Sequence, residues 1–326
     1  MLLNHILNAG LELSYNLGIN YLLDKMQESH GCFMTFHRVA KAVIREQLPN
    51  KDFYVDLDFL EKLIIYLKAN DWQIVTVSQS IQLSKQNNSR FVNFSVDDAY
   101  KDTYDLVWPL FEKHQVPFTV YVTTGIPDGT LSMWNVCLEE IVRYNQAVDN
   151  ENKASYYLSK EQQWERSNST ELFKQYCDRE NINRIELRAR HAITWSMLKK
   201  MSSSKFVEIG AHTVSHPHLS SLNDADCLNE MFECKIKLQN QLHVPVDHFA
   251  FPYGRKSDCG MREFQFARNI GYLTSATTHK GIVFSKTADW YKLPRNTLNG
   301  STKSIGYVSS HLTGISGLIT SLTGTG

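Results

Sequence analysis

The sequence predicts an α/β fold, a parallel sheet or barrel covered by helices, and three observations predict it. Short apolar stretches rich in Val, Phe, Tyr and Thr recur along the chain. Between them lie segments whose apolar residues return every three or four positions, the spacing of one helical face. The connections joining the two kinds of segment are short, as they are in repeated β-α units.

The elements follow in order. Residues 1–30 read as an amphipathic helix, because MLLNHILNAGLELSYNLGINYLL is interrupted by Asn4, His5, Asn8, Glu12, Ser14 and Asn16. CFMTFHRV (32–39) reads as a strand ending at His37 and Arg38. In DLDFLEKLIIYLKAN (56–70), Leu57, Leu60, Leu63, Ile64 and Leu67 share one helical face. WQIVTV (72–77), a helix from Ser78 and the strand RFVNFSV (90–96) come next, the last running straight into Asp97 and Asp98. A helix near 102–115 and the strand PFTVYVTT (117–124) continue the alternation. Then about 70 polar, helix-prone residues intervene before a helix at 194–202, so an insertion at about 128–190 sits inside the domain. FVEIGAH (206–212), a long helix at 223–242, HFAFPYG (248–254) and YLTSATT (272–278) complete the pattern. Residues 31–300 thus read as one domain, and 301–326 as a Gly/Ser/Thr-rich tail.

Composition narrows the function classes. The 326 residues carry 34 Lys plus Arg and 34 Asp plus Glu, a formal charge of zero. A nucleic-acid binder or a polybasic membrane anchor needs a surplus of positive charge, and none is present. Hydrophobic residues make up 42%, enough for a sizeable core. No apolar run is long enough to span a bilayer, and the start lacks the basic and small-residue features of a secretory signal. The expectation is a cytoplasmic protein, with the N-terminal helix able to rest on a membrane surface. The six cysteines are scattered with no CxxC pair, which favours free thiols in a reducing compartment.

In parallel β/α folds, functional groups collect at the carboxyl ends of strands. Four such places carry chemistry. Asp97 and Asp98 end a strand; if the chain turns there, one carboxylate can hold a cation and the other a proton, while the plainer reading is a helix N-cap. His212 and His216 follow another strand, and one helix-like turn would aim both imidazoles at a common point suited to Zn or a similar divalent ion; surface histidines would look the same. Pro252, Tyr253 and Gly254 close a third strand in a turn that could leave the Tyr253 N–H facing a site and able to stabilise an oxyanion, or could be an ordinary turn. His37, ending the first strand, is a candidate acid or base, or a buried structural histidine.

The order and spacing of TFHRV, FSVDDAYKDTYD, PFTVYVTTGIPDG, TWSMLKKM, EIGAHTVSHPHLSSL, HFAFPYG and KLPRN resemble the polysaccharide deacetylases of the NodB-homology type, carbohydrate esterase family 4. The similarity runs from about 32 to 300. It implies a distorted, incomplete (β/α) barrel and a hydrolase that removes N-acetyl groups from the sugars of a glycan, with metal-bound water as nucleophile, in bacterial surface or exopolysaccharide assembly. It further implies that Asp98, His212 and His216 bind a divalent metal, Zn2+ by preference. Asp97 would be the general base, and Tyr253 N–H would share the oxyanion charge with the metal. In the branch similar to poly-β-1,6-N-acetylglucosamine deacetylases an early histidine is the general acid, and His37 in TFHRV matches it; His279 and His311 sit in the wrong context.

Two departures stand out. Ala99 replaces the usual Gly after the aspartates, and Ala tolerates positive φ poorly. Ala250 stands where an Arg commonly precedes the Pro-Tyr-Gly turn, and Arg295 in LPRN is the expected replacement. Pro252 and Tyr253 are expected to border the substrate. Of the insertion's aromatics, Trp134, Tyr156, Tyr157, Trp164 and Tyr176, most are expected to pack the insertion, with Trp134 the best candidate for stacking on a sugar ring. Related outcomes are an O-acetyl esterase, a deformylase on a lipid-linked aminosugar, or a catalytically weak carbohydrate-binding relative.

Overall fold

The computed structural model describes residues 10–26, 30–86, 89–131, 133–147, 170–284, 287–317 and 319. The strands are β1 (His30–Phe36), β2 (Arg38–Ala40), β3 (Tyr54–Asp56), β4 (Gln73–Ile74), β5 (Arg90–Val96), β6 (Phe118–Val122), β7 (Val207–Ala211), β8 (His248–Ala250), β9 (Thr274–Ala276), β10 (Val283–Phe284) and β11 (Asn296–Thr297). The main sheet runs β10-β1-β5-β6-β7-β8-β9, with β4 on β5 and β11 on β1; every pairing in it is parallel except β10 with β1. The sheet curls into the distorted, incomplete barrel that the alternation and the resemblance predict.

Residues on a strand alternate between faces, and here the alternation sorts two kinds of chemistry. Cys32, Met34 and Phe36 on β1, Val92, Phe94 and Val96 on β5, Val120 and Val122 on β6, and Ile209 and Ala211 on β7 pack into one large apolar cluster with the covering helices. The alternate positions, Phe33, Phe91, Tyr121 and Ala250, belong to a separate cluster with Ala276 and Leu293 inside the barrel. Gly210 faces Tyr121 because any Cβ there would lie 2.5 Å from its ring. Polar side chains share this inner face: Thr35, Asn93, Ser95 and Thr119 are buried.

The helices bear out the periodicity. Helix Leu57–Ala69 starts where the Asp56 carboxylate accepts the Phe59 N–H, and it buries Phe59, Leu60, Leu63, Ile64 and Leu67. Helix Asp224–Leu242 is capped by Asn223. The helix expected near 102–115 is a wide turn, Thr103–Val107, leading into Trp108–His114. Helix Gly125–Asp128 leads into the insertion, which contributes helices Trp134–Ala147, Thr170–Arg179 and Arg184–His191, while 148–169 lie outside the described residues.

Described segments near both ends join the domain. The N-terminal segment is helical over 10–16 and again over Ile19–Met26, interrupted at Gly18 with φ 72°. Residues 305–312, read from sequence as part of a tail, form a helix in which Val308, Ser310, His311 and Leu312 are buried. Asn20 Nδ2 donates to Ser309 Oγ across the two ends at 3.1 Å.

The gap between β9 and β1 is spanned by the segment from Leu293 to Leu298. Leu293 bridges Ala276 of β9, β11 pairs Met34 and Thr35 of β1, and Leu298 N–H donates to the Thr35 carbonyl at 2.8 Å. Arg295 sits in the middle of this closing segment.

Candidate active site

Period-two alternation carries several functional side chains to one place. Asp97 continues the inward register of Asn93 and Ser95, His212 that of Glu208 and Gly210, and His37 that of Phe33 and Thr35. Each ladder runs one step past its strand: Asp97 N–H donates to Phe36 O and His212 N–H to Val122 O, both at 3.0 Å. The carboxyl ends of β1, β5 and β7 therefore converge.

Beyond Asp97 the backbone turns. Asp98 and Ala99 have φ of 69° and 66°, and Ala99 N–H donates back to Asp97 O at 2.9 Å. The expected turn that separates the two carboxylates is present, with Ala in the left-handed conformation. Two left-handed residues in sequence cost free energy, and the Ala99 methyl offsets part of it by lying fully buried in the main core.

Asp97 is 2% exposed and faces Arg295, itself 1% exposed. Arg295 Nη1 donates to Oδ1 at 2.7 Å and Nη2 to Oδ2 at 2.8 Å, a bidentate pair. The guanidinium is fixed from behind by Thr277 O at 3.0 Å, Thr35 Oγ1 at 3.1 Å and Ser95 Oγ at 3.2 Å. Burial alone would raise the Asp97 carboxyl, but Arg295 outweighs it and holds the group well below the usual carboxylate range. Arg295, from the closing segment, thus pairs with Asp97, while Ala250 stands before the Pro-Tyr-Gly turn.

Asp98 is also buried, and it differs from Asp97 in having no Lys or Arg among the described residues paired with it. Its Oδ1 accepts no hydrogen bond from the described residues, and burial pushes its carboxyl above the ordinary value. His212 Nε2 stands 3.5 Å and His216 Nε2 3.3 Å from that oxygen. His212 Nδ1 is 2.8 Å from the Ala250 carbonyl, which can only accept, so the proton is on Nδ1 and Nε2 presents a bare lone pair. Burial pushes both imidazoles down to about 4, leaving them neutral at neutral pH. Ligand atoms about 2.0–2.1 Å from a tetrahedral ion stand roughly 3.3–3.4 Å apart, so the separations, the orphaned oxygen and the donor set all fit a divalent cation.

The loop holding the two histidines departs from the expected helix-like turn. Thr213 and His216 have φ of 65° and 57°, so the imidazoles converge through a bend, their ring centroids 5.0 Å apart. Long-range bonds impose it. Glu230, from helix Asp224–Leu242, accepts the Val214 and Ser215 N–H groups at 2.9 Å each, and Gly125 N–H donates to Val214 O at 2.8 Å. Gly125 is required there, since a Cβ would lie 2.6 Å from that carbonyl. A lone Glu on a helix gives no sequence signal of this role.

Tyr253 is half-buried with φ 60°, and Pro252 before it is buried, so Tyr253 forms the outer wall of the turn. Its ring meets His216 edge-on, centroids 4.9 Å apart, and lies flat against His218. His37 is half-buried at the bend between β1 and β2, stacked on Phe53 at 5.1 Å. Arg38, next to it, is held by Asp102 at 3.0 and 3.1 Å between the rings of Tyr54 and Tyr100. Trp134 opens its helix, but its side chain lies outside the described residues, as do Tyr156, Tyr157 and Trp164. Tyr176 packs against the core, and His279 and His311 take no part in the cluster.

Known proteins share this architecture. Three solved structures superpose on most of the chain: the Streptococcus pyogenes deacetylase PplD in complex with acetate (TM-score 0.62, 16% identity, 87% of this chain and 99% of that one); a de-N-acetylase from Aggregatibacter actinomycetemcomitans (0.61, 14%, 87% and 100%); and the deacetylase domain of BpsB from Bordetella bronchiseptica (0.56, 16%, 82% and 96%). At these identities the likeness is one of fold. Poly-β-1,6-N-acetyl-D-glucosamine N-deacetylases of Staphylococcus aureus are 24% identical over 111 residues, 31% of this chain and 38% of theirs, so the match spans well under half of those relatives. The family model for polysaccharide deacetylase matches residues 84–273, more than half of the chain and the stretch that supplies Asp97, Asp98, His212, His216 and Tyr253, and on that match the chain belongs to the polysaccharide deacetylase family.

Proposed function

We propose that the chain is a metal-dependent hydrolase that removes N-acetyl groups from the sugars of a glycan. One observation carries the reading: an ionised carboxylate, Asp97, clamped by Arg295, adjoins a triangle of Asp98, His212 and His216 whose buried carboxylate oxygen lacks a partner. Those three residues would hold a divalent cation, Zn2+ by preference, which supplies Lewis acidity toward water and an acyl oxygen.

Asp97 takes the proton of the attacking water, and Arg295 fixes the plane of its carboxylate. The Tyr253 N–H meets the negative charge that develops on the acyl oxygen, and the left-handed turn at Tyr253 aims it. His37 donates a proton to the departing amine, completing C–N cleavage to acetate and a free amino sugar. The half-buried rings of His216 and Tyr253 would border the sugar. The match to the staphylococcal enzymes supports β-1,6-linked N-acetylglucosamine chains as substrate. Exposed Leu13, Leu17 and Leu22 on the N-terminal segment support peripheral contact with a membrane.

Acetate release from N-acetylglucosamine oligomers, read on wild type and on His37→Ala, tests the reading. Turnover by wild type and a loss of roughly 100-fold or more in the variant is the expected result. Near-normal turnover of His37→Ala would remove His37 as the acid, and no release by wild type from any N-acetylated sugar would sink the activity.

A further inference from the structure

We propose that His218 and Asp258 form a positioning pair that holds Tyr253 in its strained, working conformation. The inference rests on the reading of Tyr253 as the oxyanion donor. The His218 ring lies parallel to the Tyr253 ring, centroids 3.8 Å apart and planes 3° apart. Its Nδ1 is 3.0 Å from Asp258 Oδ1.

Asp258 is 5% exposed, and its other oxygen accepts the Arg255 N–H at 3.1 Å. The carboxylate is therefore anchored within the loop that follows the Pro-Tyr-Gly turn, and it fixes the plane of the imidazole. A ring held in that plane leaves Tyr253 one place to lie.

The need for such a clamp comes from the backbone. Tyr253 has φ 60° and His216, whose ring meets that of Tyr253 edge-on, has φ 57°. A residue other than Gly in this region is strained and persists only where its surroundings over-determine it. The backbone bonds around Tyr253 do part of this: Gly254 N–H reaches Pro252 O at 2.6 Å, and Thr278 Oγ1 donates to Tyr253 O at 2.7 Å. Those bonds hold the carbonyl side of the turn, and the stacked ring holds the side chain. Together they keep the Tyr253 N–H on one heading, which matters because misplacement of an oxyanion donor by an ångström forfeits much of its effect.

Histidine two residues beyond a metal-binding motif carries no sequence signal of this kind, and at the level of sequence His218 reads as a loop residue. Its partner lies 40 positions away, across the helix Asp224–Leu242 and β8.

The test compares His218→Leu and His218→Phe with wild type, at saturating metal, using acetate release from N-acetylglucosamine oligomers. Leu keeps the volume without the flat face; Phe keeps the flat face. Leu should lower kcat roughly 10- to 100-fold with KM within about twofold, while Phe, which keeps the stacked face but loses the bond to Asp258, should recover only part of that loss. Thermal melting confirms that each variant is folded. Full kcat in His218→Leu, or equal losses in both variants, would overturn the clamp. A wild-type enzyme with no activity would instead overturn the reading on which it rests.

Discussion

Replacing Arg295 by Met removes one half of a buried ion pair, and the structure sets the size of the effect. Arg295 makes five hydrogen bonds of 2.7–3.2 Å, two of them to Asp97, and both side chains are at most 3% exposed. Met fills much of the volume but leaves Asp97 as a lone buried carboxylate, an arrangement that costs about 3–5 kcal/mol. Against a total stability of about 5–15 kcal/mol, that loss is easily measured by urea denaturation. Neutralising both partners removes the stranded charge, so Arg295→Met with Asp97→Asn should cost less than the sum of the single changes, with a coupling of about 2 kcal/mol or more. Arg295→Met should also keep its metal, because Asp98, His212 and His216 are untouched, and lose turnover. Single changes that add to within about 0.5 kcal/mol, or a loss below about 1 kcal/mol for Arg295→Met, would refute the pairing as the device that holds Asp97.

Three further outcomes follow. Ala99→Gly relieves left-handed strain of about 1–2 kcal/mol but gives up a buried methyl and adds unfolded-state freedom, so stability should move by less than about 1 kcal/mol with turnover kept; a loss above about 2 kcal/mol by thermal melting would show that the methyl dominates. Glu208 accepts the Val77 and Ser78 N–H groups and stands 3.5 Å from His248. Burial would raise its carboxyl, yet the His248 and Ser78 bonds bring it to about 2 from 4.5. A depressed carboxyl stabilises above its unfolded pKa, and the contribution disappears as pH falls through the folded one. Glu208→Gln should therefore cost about 3 kcal/mol at pH 7, with the difference from wild type shrinking between about pH 4.5 and 2; a difference independent of pH would contradict this. All six cysteines are buried, so a thiol reagent should titrate none in the native protein and six after denaturation; recovery of four would mean that Cys137 and Cys177, whose Sγ atoms lie 3.1 Å apart, had closed into a disulfide.

Much of the fold was legible because its signals are local. β5 occupies the stretch RFVNFSV read as a strand, and the helix Leu57–Ala69 buries the face that its spacing marks. The site was legible where residues of matching chemistry end successive strands, and Arg295 was found by asking what replaces a missing cation. What escaped is non-local. Thr213, His216 and Tyr253 adopt left-handed backbone without the glycine that usually signals it, where bonds from Glu230, Gly125 and Thr278 and the ring contacts hold their loops. The helix-like turn at His212 to His216 failed for that reason. The helix at 305–312 escaped because a Gly- and Ser-rich face carries little periodicity, although it packs closely. His218 and Asp258, 40 residues apart, become neighbours only once the fold is formed.

The central claim is that Asp97 acts on a reaction organised by a cation at Asp98, His212 and His216. Metal content and acetate release from N-acetylglucosamine oligomers, measured together on wild type and Asp97→Asn, test it most directly. The account predicts about one divalent ion per chain in both proteins and acetate release by wild type alone. Turnover retained in Asp97→Asn, or a wild-type protein that binds no ion, would contradict it.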